Sequence, residues 1–166
     1  DLSARSEMLA AATLGASAFR KGLGAVHALS HPLSVRFGLQ HGFANAVLLP
    51  HVLEAGRPVI DSRLDRLADE LELTPPSADA FIGWLAGLQQ RLGVPRRMPD
   101  SGAHWDREQI GVMSGLAARD GNAASNPWPL DAAAAARIYE RVGGRAGAAE
   151  QEAGPPAASR GSQAGR

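Results

Sequence analysis

The sequence predicts an all-α helical bundle, and three observations carry that reading. Apolar residues recur at helical spacing in one window after another, no window holds the sustained alternation of a strand, and breakers such as Pro75-Pro76 and Gly93 separate the windows. No internal repeat is visible, so neither a solenoid nor a propeller is expected.

The elements follow in order. Residues 4–20 carry Met8, Leu9, Leu14 and Phe19 among many alanines. A helix that is small or apolar on nearly every face is ordinarily a buried one, so this segment is expected inside the fold. Gly22 to Leu33 (GLGAVHALSHPL) reads as a second helix ending at Pro32, followed by a polar connection from Ser34 to Gln40. A third helix is expected from Gly42 to Glu54, with Pro50 kinking it or marking its last turn, because proline removes a backbone donor and clashes with the preceding turn. Pro58 then opens a one-sided surface helix, with Ile60, Leu64, Leu67, Ala68 and Leu71 against Arg63, Asp65, Arg66 and Asp69. Ser77 is placed to cap a helix with Phe81, Ile82, Leu85, Leu88 and Leu92 inward and Gly93 as its stop. Two further helices are expected over 106–119 and 131–142, the last capped by Asp131 behind Pro127-Trp128-Pro129. From Gly143 to Arg166 there is no apolar periodicity to offset the entropy of ordering, so the domain is expected over 1–142 and a disordered tail over 143–166. The first three segments are the least polar and want neighbours on several sides. With Asp rather than Met at position 1, the chain reads as the inner part of something larger.

Composition removes several classes of function. The 166 residues suit one domain, and 17 basic against 17 acidic residues of interspersed sign leave no basic stripe for a phosphate backbone, so no nucleic-acid partner is expected. No apolar run approaches the roughly 20 residues that cross a bilayer, and the start lacks a signal peptide, so a cytoplasmic protein with no membrane partner is expected. With no cysteine, any metal must be held by nitrogen and oxygen.

The chemistry concentrates between Gly22 and Glu54, which holds four of the five histidines: His27, His31, His41 and His51. On a helix His27 and His31 lie one turn apart and project from one face. His41 follows across a short connection, where Gly42 leaves room for close approach. Neutral imidazoles in such an arrangement can bind iron(II) or zinc, but the same spacing also fits packing or surface histidines. A catalytic metal usually takes at least three protein ligands, often with a carboxylate, and no acidic residue lies near in sequence on the same faces. Asp100 and His104 are four apart but fall in a loop with Pro99 and Gly102, so that pair is set aside. Gly22-Leu23-Gly24 lacks the third glycine and preceding strand of a dinucleotide fingerprint and is read as close packing. No nucleophile elbow supports a serine triad around Ser30.

Gly22 to Leu33, followed by Gln40-His41-Gly42-Phe43-Ala44-Asn45-Ala46-Val47-Leu48-Leu49-Pro50-His51-Val52, resembles the signature region of the iron-containing (group III) alcohol dehydrogenases. Arg5 to Leu9 upstream and Ser125 to Leu130 downstream resemble that family's flanking segments in the right order, so the likeness covers about Asp1 to Val142. It implies a two-domain enzyme, with an α/β domain binding NAD or NADP and a C-terminal helical domain holding Fe2+ or Zn2+, of which this chain matches only the second. His27 and His41 match two metal-binding histidines. The remaining aspartate and histidine lie on an earlier helix outside this sequence. His31 matches a histidine beside the nicotinamide and substrate, which implies a proton-relay role and a cofactor contact, while His51 is left structural. Ser34 and Gln40 replace a glycine and a proline common in the family, which bears on the shape of the substrate pocket. The implied reaction interconverts an alcohol and its aldehyde or ketone by hydride transfer, in a parent that is a homo-oligomer, with the isolated chain inactive. Two other readings stay open: a non-catalytic helical module that keeps the fold for packing or partner binding, and a sugar-phosphate cyclase or glycerol dehydrogenase relative, against which the pattern at His41-Gly42 argues.

Overall fold

The computed structural model describes residues 1–98 and 103–143. Its helices are α1 (Leu2–Ala18), α2 (Gly24–Phe37), α3 (His41–Glu70), α4 (Ala78–Arg91), α5 (Arg107–Ala118) and α6 (Ala132–Gly143), with 3-10 turns at Phe19–Lys21 and Gly121–Ser125. No strand occurs among the described residues, as the missing alternation predicts. Of the tail expected over 143–166, Gly143 instead ends α6 and is buried, while the rest of it, and Asp100 of the discounted pair, lie outside the described residues. Within the described residues no helix is long and apolar enough to cross a membrane.

The core forms around α2. Ala25, Ala28, Leu29 and Leu33 are buried against Ala44, Val47, Leu48 and Val52 of α3, Met113 and Ala117 of α5, and Ala135, Ile138, Tyr139 and Val142 of α6. The alanines let backbones approach, and each fully buried leucine contributes roughly 1.5–3 kcal/mol of transfer free energy. Tyr139 fastens α6 to α2 by donating its hydroxyl to the Leu29 carbonyl at 2.7 Å, and Trp105 Nε1 donates to the Tyr139 carbonyl at 3.3 Å. Burial, with Asp120 adding to it, pushes the Tyr139 hydroxyl above the ordinary phenol range, so it remains a donor. The first turn of α2 is capped from far along the chain. Gly24 N–H donates to Ser125 Oγ at 3.2 Å and Ala25 N–H to Asn126 Oδ1 at 3.1 Å. A Cβ at Gly22, whose φ is +93°, would overlap the Ser125 side chain, which agrees with the close packing read from the glycines.

A second, smaller cluster joins the far half of α3 to α4 through Ile60, Leu64 and Ala78, with Phe81 and Ile82 against it. Local caps fix the later helices where the sequence places them. Ser77 Oγ accepts the Ala80 N–H, Asp106 and Gln109 form a reciprocal capping box, and Asp131 accepts the Ala134 N–H.

The structure departs from expectation at three places. First, α2 runs through Pro32 and closes only at Gly38, whose φ of +64° supplies a left-handed cap, so the connection to His41 is shorter than expected. Second, α3 is one 30-residue helix with Pro50 and Pro58 inside it, where two helices were expected. Proline at 50 leaves the Ala46 carbonyl without its helical donor, and Gln89 Nε2 reaches across from α4 to fill that role at 2.5 Å. Around Pro58, Gly56 lies against Trp128, and Arg57 joins Asp61 and Asp79, which holds the helix on both sides of the proline. Third, α1 is not buried. Leu2, Met8, Leu9 and Leu14 are each more than two-thirds exposed, because no other helix of the described residues packs along it. Leu92, expected inward, is also exposed, since it lies past the end of α4.

Candidate metal centre

His27 and His31 stand one turn apart on α2, and His41 opens α3, where the Gln40 side chain accepts the Phe43 N–H at 2.6 Å as the N-cap. The short connection brings the three rings together. Ring centroids are 5.1 Å apart for His27 and His41, 5.4 Å for His31 and His41, which are stacked, and 6.4 Å for His27 and His31. His27 is half-buried under the edge of Phe19, while His41 faces solvent.

Hydrogen bonding favours one tautomer of His41. Ser30 Oγ donates to the His27 carbonyl at 3.1 Å, so toward the His41 Nδ1 at 3.3 Å it can only accept. His41 therefore carries its proton on Nδ1 and presents a lone pair at Nε2. That lone pair and the Nε2 of His27 both meet the amide nitrogen of Asn45, at 3.1 and 3.4 Å. His27 Nδ1 is buried, and although the Leu23 carbonyl one turn back favours its protonated ring, no full hydrogen bond closes there. Burial lowers the His27 pKa, and His41 and His31 lower it further, which favours the neutral ring, the form that binds metal.

His31 has a different partner. Its Nδ1 lies 2.7 Å from Asp120 Oδ2, just after α5, and Asp120 Oδ1 accepts both the backbone and side-chain N–H of Asn122 at 2.8 Å. Burial pushes the Asp120 carboxyl up, but hydrogen bonds from His31 and Asn122 outweigh it and hold the group below the usual carboxylate range. An ionised Asp120 keeps the His31 proton on Nδ1 and leaves Nε2 able to accept one.

The two imidazoles of His27 and His41 suit a divalent metal in type, protonation and convergence, and they would fill about half of a four-coordinate shell. Among the described residues, no group of three histidine, aspartate or glutamate side chains is placed to hold a metal by itself. His51 stands apart, in a cavity of about 730 Å³ between α3 and α4, with its Nε2 donating to the Arg96 carbonyl at 3.0 Å. Sequence reading missed Asp120, which is 89 positions from His31, and Asn45, which stands four residues after His41 and so on its face of α3.

Comparison with known proteins adds a second line. The family model described as "Fe-containing alcohol dehydrogenase family, C-terminal" matches residues 1–143. A 1,3-propanediol dehydrogenase of Klebsiella pneumoniae is 35% identical over 137 residues, which cover 76% of this chain and 34% of that protein. A 4-hydroxybutyrate dehydrogenase of Cupriavidus necator is 37% identical over 150 residues, 85% of this chain and 38% of its own. Among solved structures, a 1,3-propanediol oxidoreductase superposes with a TM-score of 0.66 at 31% identity, over 72% of this chain and 32% of that one. An iron-containing alcohol dehydrogenase from Thermococcus thioreducens gives 0.63 at 28% identity over the same shares. The chain thus spans about a third of the length of the curated relatives it matches.

Proposed function

We propose, from the premise that this chain belongs to the Fe-containing alcohol dehydrogenase family and spans its C-terminal domain, that it is the metal-binding part of an enzyme interconverting an alcohol and its aldehyde or ketone. The observation that carries this reading is the meeting of the His27 and His41 Nε2 atoms at one point beside a third imidazole, His31, fixed by Asp120.

In this reading His27 and His41 hold Fe2+ or Zn2+. The metal supplies Lewis acidity toward the substrate oxygen, and a nicotinamide cofactor, NAD or NADP, supplies the hydride chemistry. Oxidation of an alcohol to a carbonyl also releases a proton from the hydroxyl. Among the described residues, His31 is placed to take it through Nε2, while Nδ1–H remains on Asp120. In the reverse direction the same nitrogen returns the proton. Ser30 fixes the tautomer of His41 and so keeps its ligating lone pair directed into the site. The nucleotide is bound mainly by segments outside this sequence, and so are the remaining ligands. A second reading, a helical module without catalysis, has one observation in its favour, the incomplete ligand set among the described residues.

The test is calorimetric titration of zinc into the purified chain, a His27→Ala, His41→Ala double variant and a His51→Ala control. Weak binding of zinc, lost in the double variant and kept in the control, is expected, with no alcohol-dependent NAD(P) reduction by the chain alone. Zinc binding that survives the double variant would remove both histidines from the metal site.

A further inference from the structure

Asp120 divides its two carboxylate oxygens between two tasks. Oδ2 accepts from His31 Nδ1 at 2.7 Å, while Oδ1 takes the backbone and side-chain N–H groups of Asn122, each at 2.8 Å. The backbone bond is a local one, because Asp120 is the N-cap of the 3-10 turn Gly121–Ser125. Alone it anchors one oxygen and leaves the plane of the carboxylate free to rotate about that contact. The side-chain amide of Asn122 reaches the same oxygen as a second donor and removes that freedom, so Oδ2 stays directed at His31.

The main chain of Asn122 ties the same loop to α2 at another point. Its carbonyl accepts the Ser125 hydroxyl at 2.9 Å, and Ser125 Oγ in turn accepts the Gly24 N–H at 3.2 Å. Asn122 thus stands between two attachments to α2, one at Gly24 and one at His31, about two turns further on. The first sets where the loop lies along the helix, and the second sets the orientation of one imidazole. The Asn122 side chain serves the second. Orientation matters because a carboxylate that drifts off Nδ1 lets the ring proton move to Nε2, and a protonated Nε2 accepts nothing.

We propose that Asn122 is a positioning residue for His31, its side-chain amide holding the Asp120 carboxylate in the plane that keeps the ring proton on Nδ1 and Nε2 open to the proton the reaction releases. The proposal rests on the relay reading of His31 above and extends it to a residue that acts only through Asp120.

The experiment is nitrogen-15 NMR of the His31 ring in the full chain at pH 8.5 with a chelator present, its signals identified by their loss in His31→Gln. Wild type is expected to show a protonated Nδ1 and an unprotonated Nε2. Asn122→Ala is expected to lower the ratio of Nδ1–H to Nε2–H tautomers by about fivefold, the factor that one hydrogen bond is typically worth. Asn122→Leu, which keeps the volume without the donor, should do the same, and it decides the matter if Asn122→Ala does not fold. Asn122→Ser, whose hydroxyl can donate to the same oxygen, is expected to recover most of the ratio. Ser125→Ala, which breaks the attachment at Gly24, should lower thermal stability and leave the ratio unchanged. If Ser125→Ala lowers the ratio as far as Asn122→Ala does, general loosening of the loop is the cause and the positioning role falls. If Asn122→Ala and Asn122→Leu keep the wild-type ratio, the proposal falls while the relay reading stands. If wild type itself carries the proton on Nε2, both fall.

Discussion

Burial lowers the pKa of His51. The hydrogen bond to the Arg96 carbonyl opposes that shift, and the positive charges of Arg141, Arg96 and Arg97 add to it. The unfolded chain protonates His51 near its reference value of about 6.5, while the folded chain resists until a lower pH. Its contribution to stability is therefore fully present above about pH 6.5 and is lost as pH falls through the folded value. Urea unfolding at pH 7 and pH 5 should show a loss for wild type that is smaller in His51→Gln, and an equal loss in both proteins would show that His51 titrates alike folded and unfolded. Residues of this kind differ in how far sequence exposes them. His27, His31 and His41 are legible because helical spacing and one short connection fix their geometry. Asp120 is not, because nothing local links a residue after α5 to an imidazole on α2.

At the level of elements, α4, α5 and α6 begin where their caps predict because capping is a local interaction among residues within one turn. The length of α3 differs from expectation because the cost of an internal proline depends on whether something else satisfies the carbonyl it strands. For Pro50 that partner is Gln89. Two variants and their combination separate the contributions. Gln89→Leu should cost about 1–3 kcal/mol by leaving the Ala46 carbonyl unpaired, and clearly less in a Pro50→Ala background, where residue 50 regains the N–H that the carbonyl lacks. Thermal unfolding of the four proteins measures the difference, and additive losses would show that Gln89 acts through something other than this carbonyl.

At the level of the whole molecule, the all-round apolar pattern of α1 records what the helix requires of its surroundings, not what the described chain supplies. The helix class was therefore legible and its burial was not. Leu2, Met8, Leu9, Leu14 and Phe19 stand exposed round α1, the kind of apolar exposure that favours association, and Phe19 reaches the edge of His27. Light scattering should show the chain associating with rising concentration, and a Leu9→Glu, Leu14→Glu variant should shift it toward monomer. A wild type that remains monomeric at high concentration would mean that α1 folds onto the rest of the chain in solution.

The caps on the first turn of α2 bear on how the protein is made. Ser125 and Asn126 stand 101 positions after the amides they bind. At roughly 5–20 residues per second, a ribosome that has just finished Gly24 needs about 5–20 seconds more to supply them. Through that interval the histidine-bearing helix has an unfinished amino end, so the metal centre cannot be completed until about a hundred residues after its first histidine has been made.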